Sequence, residues 1–179
     1  MVALIKNTVA VGATNEELQL FFYQARKLGL DPLARQIHFI KRKRKDADTG
    51  QWEEVGTIQV GIEGLRIIAD RTGKLAGIAS GVIIGANGEV VGAWAEVRRS
   101  DWTYPARVEV DFGEYCLTRD DKPVALWKTK PKMMIQKCAE AGALRRAFSA
   151  DLSDVYIHEE MEQAGPALAK RQGPSLLPP

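Results

Sequence analysis

The stretch between Leu75 and Phe112 limits the fold more than any other part of the chain, because its second and third runs alternate between two environments. Side chains of a strand point to opposite faces with a period of two, so such alternation marks a sheet buried on one side only. The spacing predicts strands near 75–84, 90–98 and 104–112. Asn87-Gly88, in the first turn, suits a tight hairpin because both residues accept positive φ. Val91, Ala93, Ala95 and Val97 share one face of the second strand, and Ala106, Val108, Val110 and Phe112 one face of the third. The opposite face carries Trp94, Glu96, Arg98, Arg107, Glu109 and Asp111, whose charges read as cross-strand pairs on a wet surface.

A half-buried sheet needs a cover, and helical patterns supply it. Residues 14–29 read as a helix: Thr14 and Glu17 make a capping-box pattern, Leu18, Phe21, Phe22, Ala25 and Leu28 recur at helical spacing, and Gly29 stops the run. Residues 36–45 and 51–60 read as a hairpin whose far end is charged. Residues 62–72 read as a second helix with Ile62, Leu65, Ile68 and Ala69 inward, ended by Gly73. Residues 114–130 read as irregular, with a turn at Asp120-Asp121-Lys122-Pro123. Pro131 then suits the first position of a helix running to Phe148, with Met134, Cys138, Ala141, Leu144 and Phe148 as its apolar stripe. Lys132, Gln136, Ala139 and Ala143 lie on its other side, which the spacing leaves open to a flat partner. A short acidic helix is expected over 157–163. The fold class is therefore α+β: an antiparallel hairpin plus a three-stranded meander, packed with helices. Residues 1–163 are expected to form one core and 164–179 a flexible Pro/Gly-rich tail.

Several kinds of chemistry find no support. Cys116 and Cys138 show no CxxC spacing, and with His38 and His158 they make no metal-ligand pattern. Gly73-Lys74 lacks the rest of a GxxxxGK[ST] loop, and neither GxGxxG nor GxSxG occurs. No two carboxylates pair by spacing for acid–base or two-metal work. The start MVALIKNTVA is short and polar for a signal peptide, and no apolar run is long enough for a membrane span, so a cytoplasmic protein is expected.

Net charge is +2, but the charges are unevenly placed. Arg35 to Lys45 holds six basic residues and no acid, and Trp127 to Arg146 holds six against Glu140 alone. Two such segments can present a positive groove to a polyanion, or they can be solvated faces.

The stretch LWKTKPKMMIQKCAEAGALRRAFSADLSDVYIHEEM, residues 126–161, resembles the signature region of the phage Bet/RecT single-strand annealing proteins. Three further stretches match in the same order. They are LIKNTV at 4–9, Gly29-Leu30-Asp31-Pro32 followed by Arg35-Gln36-Ile37, and Val60-Gly61-Ile62-Glu63-Gly64 followed by Arg66-Ile67-Ile68. The resemblance implies single-stranded DNA binding, annealing of complementary strands, assembly into rings or helical filaments, and no ATP. It also implies a Rad52-like annealing core. The implied partners are single-stranded DNA, the annealed duplex, further copies of the chain, a phage 5′→3′ exonuclease and a host single-strand-binding protein. Trp127, Lys132 and Arg145 match family residues that line the DNA groove. Cys138 stands where the best-known member has a basic residue, so the contacts cannot be identical.

Annealing without a motor needs cations that neutralise phosphates and leave the bases exposed. Lys128, Lys132, Lys137 and Arg145 are the expected phosphate contacts, with Arg66, Arg71 and Lys74 behind them. Trp127 is expected either beside a base or as a core anchor. The arm holding Lys41 and Lys43 is expected to touch DNA or the next subunit, or to be a solvated tip. No cofactor is expected, and magnesium enters only as a counterion. A metal-dependent nuclease and an RNA-binding module are the alternatives.

Overall fold

The computed structural model describes residues 2–45, 50–152 and 155–157. The chain divides into two compact units, one running to Gly61 and the other beginning at Ile62.

The first unit opens with a helix that the sequence pattern did not announce, α1 (Val2–Thr8). Helix α2 (Asn15–Leu28) follows, bounded as its sequence predicts. The Thr14 hydroxyl accepts from the Glu17 N–H, the Glu17 carboxylate accepts from the Thr14 N–H at 2.7 Å, and Gly29 caps the other end in the left-handed region. Strands β1 (Ile37–Lys45) and β2 (Trp52–Val60) pair antiparallel without a bulge. Leu18, Phe21 and Ala25 of α2 are buried, as are Ile37, Phe39 and Val60 of the hairpin, and Phe21 meets Phe39 edge-on at 6.3 Å. These contacts tie the base of the hairpin to α2.

The second unit contains α3 (Ile62–Arg71) and the meander β3 (Leu75–Ile84), β4 (Val90–Arg99) and β5 (Ala106–Asp111), in the order β3-β4-β5. The three strands fall close to where the sequence places them. Tyr104 and Pro105, expected in the third strand, belong instead to the preceding turn. The stretch expected to be irregular is ordered: α4 (Phe112–Tyr115), a small hairpin of β6 (Thr118–Arg119) and β7 (Lys122–Pro123), and α5 (Ala125–Thr129). The turn of that hairpin is Asp120-Asp121 alone, with φ of 51° and 57°. Two successive left-handed residues make a type I′ turn, which aspartate tolerates better than most residues, and this frees Lys122-Pro123 to pair.

Helix α6 (Pro131–Ala147) covers the sheet, and a single turn α7 (Ser149–Leu152) follows it. The predicted stripe Met134, Cys138, Ala141, Leu144 and Phe148 is buried throughout. Most of the opposite side, expected to be open to a flat partner, is covered by the sheet, and of its four residues only Lys132 at the helix start stays exposed. Gln136 donates to Ser80 of β3 at 2.8 Å, Arg146 donates to the Arg107 carbonyl of β5 at 3.0 Å, and Ala139 and Ala143 are fully buried between them. A Cβ on Gly142 would stand 3.2 Å from Val108 of β5. Small residues on both partners, with Ala93 and Ala95 on β4, let the helix seat closely on the strands. The expected acidic helix at 157–163 falls almost wholly outside the described residues, as does the tail.

Candidate nucleic-acid interface

Helices α5 and α6 meet at Lys130, whose backbone (φ −138°, ψ 52°) caps one and starts the other. Trp127 fixes this joint. It is only 2% exposed, and its ring stands edge-on to Phe112 of α4 at 5.7 Å. Of the two roles left open by the sequence, this placement is that of a core anchor.

The anchor leaves Lys128, Lys130 and Lys132 exposed around the joint. Among the described residues no carboxylate forms an ion pair with any of the three, and the first turn of α6 holds no acid. Pro131 at the first position begins a helix whose N-terminal end carries roughly half a positive charge from its aligned peptide dipoles. Cations there are mutually unfavourable in the free protein, and a bound polyanion relieves the repulsion. Lys130 was not singled out in the sequence, although its alternation with Lys128 and Lys132 around Pro131 is a readable signal.

The other predicted cations divide according to what already holds them. Arg66 is gripped by Glu140, a buried residue of α6, through bonds of 2.6 and 2.8 Å, and by Glu63 at 2.6 Å. The hydrogen bonds that Arg66 donates to Glu140 push its pKa further above its ordinary value. Lys74 pairs with Asp101 at 3.2 Å. Lys41, in the first unit, pairs with Glu17 at 3.6 Å, and Lys43 stands opposite Glu54 in the strand register. Of the arm's five basic residues, two, Lys43 and Arg44, stand opposite acids of the return strand. Arg71 is exposed at the end of α3, and Lys137 is half-exposed on α6.

Arg145 lies at the far end of α6. Its Nε donates to the Val155 carbonyl at 3.1 Å and its guanidinium sits 4.8 Å from the Tyr156 ring. Thirteen residues separate it from Lys132, which is roughly 20 Å of rise and about 220° of turn. One straight face of α6 therefore does not carry both. Apart from Lys137, the predicted cations of α5 and α6 fall at two ends, with Lys128 and Lys132, joined by Lys130, at the start of α6 and Arg145 at its finish. Lys74 joins the second group through Asp101 and Arg99, since Arg99 donates to Asp101 at 2.7 Å and to the Ala147 carbonyl of α6 at 2.7 Å.

No group of three or more His, Cys, Asp or Glu residues able to hold a metal gathers among the described residues. No helix among them is long and apolar enough to cross a membrane.

An α+β core with uncompensated lysines clustered at a helix start defines a protein suited to binding a polyanion. Residues 1–171 match the family model described as RecT family, and the chain belongs to that family. The RecT family comprises single-strand annealing proteins of phage-type DNA recombination, which bind single-stranded DNA. No curated protein matches the chain significantly.

Proposed function

We propose that this chain anneals complementary single strands of DNA without ATP, acting as an oligomer and catalysing no covalent step. The observation that carries the proposal is the exposed trio Lys128, Lys130 and Lys132, uncompensated at the positive end of α6. Phosphates bound there release their counterions, which drives association and makes it salt-dependent. Contacts to the backbone leave base edges free to test a second strand. Pairing then contributes about 1.4 kcal/mol per stacked step, so the correct register is favoured by the duplex itself. No nucleotide is needed to power such a process, and magnesium serves only as a counterion. Arg145, Lys137 and Arg71 extend the phosphate track from the lysine trio. Repeated copies in a ring or filament align many weak contacts along one strand. A 5′→3′ exonuclease supplies the single strands, a host single-strand-binding protein is the competing coat, and the setting is the cytoplasm.

The test is annealing of two complementary oligonucleotides, followed by fluorescence with no nucleotide present and salt varied. Acceleration that falls as salt rises, with the strands left uncut, is expected. Intact folded protein that gives no acceleration refutes the proposal, and cut strands transfer it to a nuclease.

A further inference from the structure

The turn between β4 and β5 carries two aromatic side chains outside the core. Tyr104 is 81% exposed and Trp102 is 45% exposed. Neither closes the core, and both stand on a turn that is firmly tied down. Arg99 is the fastener. It donates to both Asp101 oxygens, at 2.8 and 2.7 Å, and to the Ala147 carbonyl. Its guanidinium also lies between the rings of Trp102, at 4.7 Å, and Phe148, at 5.0 Å. The Ser100 N–H donates to the Lys74 carbonyl at 2.8 Å, joining the turn to the start of β3.

We infer that this turn, residues 101–105, is a second contact for single-stranded DNA, at which Trp102 and Tyr104 stack on bases. The inference rests on the annealing reading and adds to it a site for bases, where the lysine trio serves phosphates. Three features favour nucleic acid as the occupant. The turn is tied to the end of α6 that carries Arg145 and Arg146, since Arg99 donates to the Ala147 carbonyl at 2.7 Å. Basic residues adjoin it: Lys74 pairs with Asp101 on the turn itself, and exposed Arg98 of β4 lies three residues before Asp101. Finally, stacking engages the face of a base and leaves its pairing edge open, as annealing requires. The Arg99 fastening holds Trp102 in place before any strand arrives, so little ordering remains to be done on binding.

The experiment measures binding of the full chain to a labelled oligo-dT and to an abasic oligonucleotide of equal length. Trp102→Ala and Tyr104→Ala are compared with wild type across a salt series. Base–aromatic stacking predicts a loss of at least about fivefold on oligo-dT for each variant. Binding to the abasic strand should not change, and the salt slope should stay at its wild-type value, since no phosphate contact is removed. Tyr104 is so exposed that its variant remains a fair test should Trp102→Ala fold poorly. Wild-type affinity for oligo-dT in Tyr104→Ala overturns the inference, as does an equal loss on the abasic strand. Unchanged DNA binding with loss of high-mass assemblies reassigns the turn to a contact between copies. Wild-type protein that binds neither oligonucleotide overturns the annealing reading itself, and the turn's role with it.

Discussion

Arg66 of α3 and Glu140 of α6 meet through two near-parallel hydrogen bonds of 2.6 and 2.8 Å, and Glu140 is only 4% exposed. A carboxylate so placed has given up its water, and the guanidinium is what replaces it. Arg66→Ala strands that charge and should destabilise the protein by about 3 kcal/mol, the lower end for broken buried pairs because Arg66 itself keeps some solvent. Removing the charge as well, in Arg66→Met with Glu140→Leu, should recover most of the loss. Urea titrations of the three proteins check this. A double variant no more stable than Arg66→Ala would mean that the pair does not act as a unit.

Ala143 is fully buried on the side of α6 that rests on the sheet. Ala143→Leu inserts three carbons where none fit, and overpacking of this kind costs about 1–3 kcal/mol. For a domain of this size the melting temperature should fall by roughly 2–12 °C, read by circular dichroism.

The paired and unpaired lysines should differ in their effect on DNA. Lys132→Ala and Lys128→Ala should each weaken single-strand binding and lower the magnitude of the salt slope by about one. Lys74 is already partly neutralised by Asp101, so Lys74→Ala should do less. Polarisation titrations from low to high salt rank the three, and the ordering fails if Lys74→Ala matches Lys132→Ala.

Trp127, as a core anchor, should tolerate a smaller aromatic ring and not its removal. Trp127→Ala should cost about 3–5 kcal/mol of stability. Trp127→Phe should fold and bind single-stranded DNA near the wild-type level. A well-folded Trp127→Phe with strongly weakened binding would instead place the indole on the DNA.

The Arg99 guanidinium, with Lys74 beside it, holds the Asp101 carboxyl well below the usual carboxylate range. A depressed carboxylate stabilises the fold above its unfolded pKa, and this contribution fades as pH falls through the folded value. Asp101→Asn should therefore melt below wild type at neutral pH. The gap should begin to narrow below about pH 4, where the unfolded aspartate starts to take up its proton. Melting curves of both proteins from pH 7 down to pH 2 give the comparison, and a gap that widens on acidification contradicts it.

Periodicity located the meander, α2, α3 and α6 because each carries a long repeating signal that its burial then satisfies. It did not locate α1, α4, α5 or α7, which span seven residues or fewer, too short for a period to repeat. The side of α6 that looked available in sequence shows a second limit. Small residues such as Ala139 and Ala143 are as compatible with a close internal neighbour as with an external one, and only the position of the sheet decides. The candidate cations were legible by type, and their partners were not. Arg66 and Glu140 lie far apart in the chain, so no local pattern marks one as the counterion of the other.

Because α6 is enclosed by the sheet on one side and by helices on another, only Lys132, Met133 and Arg146 among its 17 residues are exposed. In its middle turns only Gln136, Lys137 and Gly142 keep partial exposure. A relative or a laboratory variant seeking a tighter hold on DNA can add charge near the tips of this helix, or on the short elements that flank them, and hardly anywhere between. Sequence libraries aimed at affinity should therefore randomise the α5–α6 joint and the residues around Arg146, and leave the interior of the helix untouched.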